Sequence, residues 1–127
     1  MKKVIKTVEE LYGRKDGTGE VILDEMANCL RKTRIVAVAD LAVLMDVDAH
    51  QLNQAVRLLT GMTTRDIINR WRLLQVRDLL TATSDSTAKK GSHDDRIRLL
   101  NAVARRCGWR SYRVLLKVAH RYGVRVD

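Results

Sequence analysis

Residues 41–61, LAVLMDVDAHQLNQAVRLLTG, constrain this chain more than any other stretch. They predict a helix, a tight turn at Asp46-Val47-Asp48 and a second helix with two opposite faces. In the second helix Leu52, Ala55, Val56 and Leu59 recur at i, i+3, i+4, i+7, the spacing of a buried stripe. His50, Asn53, Gln54 and Arg57 repeat that spacing on the other side. A short helix that is apolar behind and amide-rich in front suits a major groove. Asn and Gln pair bidentately with adenine, and Arg pairs with guanine or phosphate. An ordinary amphipathic helix with a solvated face carries the same pattern, so the rest of the chain has to weigh between them.

No proline interrupts the 127 residues, and Leu, Val, Ala and Arg dominate, so the expected fold class is all-α. Helices are expected over 3–12, 20–32, 36–45, 49–60, 63–82, 96–106 and 111–122. The second of them would bury Val21, Met26, Cys29 and Leu30. The RIVAV run at 34–38 also suits a short strand. Residues 13–19, GRKDGTG, read as a loop. Asp48 suits an N-cap and Gly61 a left-handed C-cap. Thr63 suits the cap of the long helix, with Asp66 as a capping-box variant. Residues 83–95, TSDSTAKKGSHDD, predict a flexible connection. A turn at Cys107-Gly108-Trp109 precedes the last helix, which Gly123 stops.

The expected organisation is an N-terminal helical segment at 1–35, a first helix–turn–helix unit with a linker helix at 36–82, the connection at 83–95, and a second helix–turn–helix unit at 96–127. The same device thus occurs twice, at 41–61 and 100–123. A helix of about 19 residues between them spans about 28 Å. That approaches one turn of B-DNA, about 34 Å, so two readers could address successive major grooves.

The formal charge is +9, and its distribution matters more than its size. Residues 96–127 carry +8, whereas residues 36–61 carry −2. A basic block this focused attracts a polyanion. Nucleic acid is the first candidate, with an anionic membrane surface or an acidic protein as alternatives. No apolar run approaches the about 20 residues of a membrane span. The opening MKKVIKTVEELYGRKDG has no apolar core, so a secretory signal is not expected and the cytoplasm is. Cys29 and Cys107 fit no metal-ligand spacing and read as small hydrophobes in a reducing compartment. Trp71 and Trp109 read as packing residues. The three His residues are scattered, and no Ser/His/Asp, metal or Gly-rich phosphate constellation occurs. Neither an enzyme nor a cofactor is expected.

In these motifs the chain resembles the DNA-binding domain of the AraC/XylS family of bacterial transcription regulators. Leu41-Ala42 stands where the family has its LA pair, Leu52 and Val56 where it has core residues, and Thr60-Gly61 where it has TG. The linker pattern R-L-x-x-A-x-x-L-L appears as Arg72-Leu73, Val76 and Leu79-Leu80. The second unit's I-x-x-I-A-x-x-x-G-F appears as Leu100, Val103-Ala104 and Gly108-Trp109. The resemblance covers residues 36–123. It departs at the first turn, where the family's Gly is Asp46, and in a longer connection before the second unit. Members with an effector-binding domain are longer, so the chain looks like a short member without one.

The resemblance implies two helix–turn–helix subdomains joined by a linker helix. It places base-reading residues of the first unit on His50, Asn53 and Gln54, which the polar stripe also names together with Arg57. In the second unit the implied base readers are Arg110, Arg113 and Lys117. Phosphate contacts or capping fall to Arg57, Ser111, Tyr112 and Arg121. Arg113, Lys117 and Arg121 form one basic stripe, and Val118 and Tyr122 an apolar one with either Val114 or Leu115. The implied function is sequence-specific binding of double-stranded DNA by a monomer, with RNA polymerase as a further candidate partner. The alternative is a degenerate copy that binds a partner regulator and not DNA.

Overall fold

The computed structural model describes residues 7–14, 17–87 and 93–124, with the side chains of 83–87 and 93 left aside. Among the described residues the chain is all helix, turn and loop. The helices are α1 (Val8–Gly13), α2 (Val21–Lys32), α3 (Val38–Met45), α4 (Ala49–Thr60), α5 (Thr64–Thr87), α6 (His93–Arg106) and α7 (Tyr112–Tyr122). The all-α expectation therefore holds. The chain forms two compact units, Met1–Trp71 and Arg72–Asp127, and the division falls inside α5.

In the first unit α1 starts at Thr7, whose hydroxyl accepts from Glu10 N–H at 3.2 Å. The loop before α2 is tied to that helix by Asp24. Its Oδ1 accepts from Thr18 N at 2.7 Å and from the Thr18 hydroxyl at 2.8 Å. Those bonds, the backbone one first, hold its carboxyl below the usual aspartate range. α2 buries Leu23, Met26, Ala27 and Leu30, again at i, i+3, i+4, i+7. Two of the residues expected in that stripe lie off it. Val21 is 79% exposed, because it sits two residues before Leu23, about 200° round the helix. Cys29 is only half-buried. The 34–38 run forms no strand; Ala37 is the extended residue from which α3 starts.

α2 packs on α3 and α4, and α3 on α4. Leu41, Ala42 and Met45 of α3 are buried, as are Leu52 and Val56 of α4. Between the two helices Asp46 is left-handed, at φ 57° and ψ 46°, the position the family resemblance gives to glycine. It is the single non-glycine residue at positive φ among the described residues. Left-handed backbone costs an L-residue about 1–2 kcal/mol, a cost glycine does not have. Asp46→Gly is therefore expected to raise stability by about 0.5–1 kcal/mol after the extra freedom of the unfolded glycine is counted, read as a higher urea midpoint. Asp46→Val is expected to lower it, since a β-branched residue is a poor fit at positive φ.

In the second unit α6 packs on α7. The core gathers Leu73 and Val76 from α5, Val103, Ala104 and Cys107 from α6 and its end, Trp109 from the turn, and Leu115 and Ala119 from α7. Leu115 is fully buried and Val114 is 39% exposed, which settles the register of the last helix. Gly123 ends it left-handed at φ 65°, as expected. The expected connection at 83–95 is shorter in fact, because α5 runs to Thr87 and α6 begins at His93. Thr, Ser and Asp are weak helix formers but not breakers, and the segment holds no Pro and no Gly before Gly91. Residues 88–92 lie outside the described residues.

Candidate functional site

The two helix pairs are joined by the same turn. After α3, Asp46 N–H donates to Val43 O at 3.1 Å and Val47 N–H to Ala42 O at 3.0 Å. After α6, Gly108 N–H donates to Arg105 O at 3.1 Å and Trp109 N–H to Ala104 O at 2.9 Å. Both turns pivot on a left-handed residue, Asp46 or Gly108. Both place a buried alanine under the turn, Ala42 at 3% and Ala104 at 0% exposure. Both then start a helix with a side-chain cap. Asp48 Oδ2 accepts from Gln51 N at 3.1 Å, and Ser111 Oγ accepts from Val114 N at 3.4 Å. From its left-handed pivot to its cap the second turn is one residue longer, Gly108 to Ser111 against Asp46 to Asp48.

The outer faces of α4 and α7 carry the candidate residues. His50, Gln54 and Arg57 are exposed on α4. Arg113, Lys117 and Arg121 are exposed along α7, and Arg110 is exposed just before it. None of these four cations forms an ion pair with a described residue. Their charge is thus available to an outside anion.

Three candidates have other work. Asn53 is half-buried, and its Oδ1 accepts from Thr64 N at 3.0 Å and from the Thr64 hydroxyl at 3.3 Å. A bidentate pair with adenine needs both ends of the amide on the base. In this structure the amide oxygen of Asn53 caps the start of α5. Ser111 is a cap, as one of its two expected roles has it. Tyr112 packs against the core of the second unit and gives its N–H to Asn101 Oδ1 at 2.9 Å.

Sequence reasoning missed Asn101. It is the counterpart of Asn53: each Asn lies 11 residues before the helix-opening residue whose N–H it binds. The repeated spacing was readable, but only after the helix starts were known. Asn101→Ala is expected to lower stability by about 1 kcal/mol in chemical denaturation, and Asn101→Asp to recover it, because an aspartate keeps the acceptor at a helix N-terminus.

A shallow groove beside α4 is lined by Val38, Ala49, His50, Asn53, Thr63, Arg65 and Asp66, drawn from the starts of α3, α4 and α5. Arg65 gives it positive character, and Asp66 offsets that. Arg72, the arginine of the linker pattern, is no part of the exposed surface. It is fully buried and donates from Nη1 to Gln75 Oε1 at 2.8 Å. Burial pushes its pKa down to about 10, with the Cys107 thiol opposing. Its charge therefore disfavours the folded state at neutral pH, and the penalty fades only as pH rises above 10. Burial also raises the Cys29 thiol, ahead of Glu25, so that thiol is not activated for chemistry.

Among the described residues no group of His, Cys, Asp and Glu is placed to hold a metal ion. No helix among them is long and apolar enough to cross a membrane. No family model, no curated protein and no solved structure matches the chain.

Proposed function

We propose that the chain is a sequence-specific, duplex-DNA-binding transcription regulator of the AraC type, acting as a single copy through two helix–turn–helix units. The observation that carries this reading is the repeated turn, with its left-handed pivot, buried alanine and capped second helix, leading in both cases to a helix with an exposed polar or basic face. One such unit is a common packing solution. Two in one chain, with unpaired cations on the second, suit a ligand that repeats its features at a helical turn.

The two units divide the work. α7 supplies Arg113, Lys117 and Arg121 for phosphates or guanines, with Arg110 at its entrance. α4 supplies His50 and Gln54 for base edges and Arg57 for phosphate or guanine, and Asn53 holds α4 against the start of α5. Phosphate contacts give affinity and base contacts give specificity. The reading needs no cofactor and no catalytic group, and it locates the protein in the cytoplasm beside DNA and RNA polymerase.

A second reading, a copy that binds a partner regulator, is favoured by the internal use of Asn53 and the acidic charge of residues 36–61. Selection from a random duplex pool separates the two. A DNA reader enriches a motif with two half-sites about 10 bp apart. Weak binding without enrichment would favour the second reading.

A further inference from the structure

The face of α3 that points away from its unit's core has no part in DNA binding as proposed. Val43 is 79% exposed and Leu44 50%, and Val47 in the following turn is 39% exposed. Asp40 lies three and four residues before the first two, so one carboxylate and two apolar side chains share a surface. Asp46, also exposed, follows directly. No Lys or Arg occurs between Arg34 and Arg57, so no cation of this stretch offsets the two carboxylates. Such a surface repels a polyanion. It fits a helix that is both apolar and basic.

The chain carries one. On α7, Val114 is 39% and Leu116 40% exposed. Leu116 lies between Arg113, Lys117 and His120 on one face, and Val114 lies one turn from Lys117. Each surface sets exposed apolar side chains beside charge, and the charges are opposite.

We infer that the α3 face of one copy receives α7 of a second copy. The contact joins different surfaces on its two sides, so each pair leaves one of each open and association proceeds stepwise. Duplex DNA occupying α7 removes the occupant; this competition rests on the DNA reading, whereas the contact itself does not. At high protein concentration the basic helix is then covered by the chain's own acidic face, and DNA uncovers it.

The test is sedimentation of the full chain from about 10 μM to about 1 mM, the range suited to a contact this small. Salt is held near 0.15 M, where a Debye length of about 8 Å screens the overall repulsion more than the contact itself. The weight-average mass is expected to rise at least roughly twofold across that range, as a weak contact requires. V43K/L44K is expected to stay at the single-chain mass, and Asp40→Lys to weaken association by roughly tenfold. Both changes lie at exposed positions, and circular dichroism checks that the helices remain. A short duplex at equal concentration is expected to return the parent to single copies.

A parent that stays single at about 1 mM overturns the inference. So does V43K/L44K associating like the parent, or association that survives with duplex bound. Association in a protein that binds no duplex supports the contact and removes the DNA reading instead.

Discussion

Trp71→Ala is expected to lower the stability of the chain by about 3–5 kcal/mol, enough to unfold the first unit at 37 °C. Trp71 is fully buried. Tyr12 of α1 meets its ring edge-on at 5.0 Å and 77°, and the Arg31 guanidinium of α2 lies 5.3 Å from its centroid. One side chain of α5 therefore holds two other helices. The indole N–H is buried with no hydrogen-bond partner among the described residues. Trp71→Phe consequently loses volume but no hydrogen bond, and is expected to cost less than half as much. Thermal unfolding of the two variants checks both statements. Equal losses would show that the N–H has a partner after all.

Arg113→Ala with Lys117→Ala is expected to weaken binding to every duplex by about 10–100-fold near 0.1 M salt. The salt slope should become shallower by up to about 2, one ion for each cation removed. Leu115 faces the core, so both residues lie on the outer side of α7. Gln54→Ala should behave differently. It is expected to relax sequence preference by about 1–3 kcal/mol and to leave non-specific binding nearly unchanged. Should Arg110→Ala with Arg121→Ala lose affinity while the first pair binds like the parent, α7 meets DNA by another face.

The caps were the most legible part of this sequence. Asp48, Gly61, Thr63, Ser111 and Gly123 each bring a side chain or a backbone freedom that is useful at a helix end, and all sit at one. The turn at Asp46-Val47-Asp48 was legible from the residues themselves, and the backbone at Asp46 is left-handed. Helix faces were less secure, because one residue of shift turns a stripe by about 100°. Val21 was placed inward for that reason, and Val114 could not be separated from Leu115. The far end of α5 was hidden by composition, since polar weak formers look like a loop. Asn53 and Asn101 were beyond reach. An amide on a polar stripe reads the same whether it faces a base or the start of the next helix, and only the packing of the two helices decides.

The central claim is that exposed, unpaired cations of α7 anchor the chain to duplex DNA. The salt dependence of duplex binding, followed by fluorescence anisotropy, tests it most directly. With about five phosphates neutralised, the logarithm of the binding constant should fall against the logarithm of salt concentration with a slope near −4 to −5. A slope near zero, or no binding at about 50 mM salt where counterion release is strongest, would contradict it.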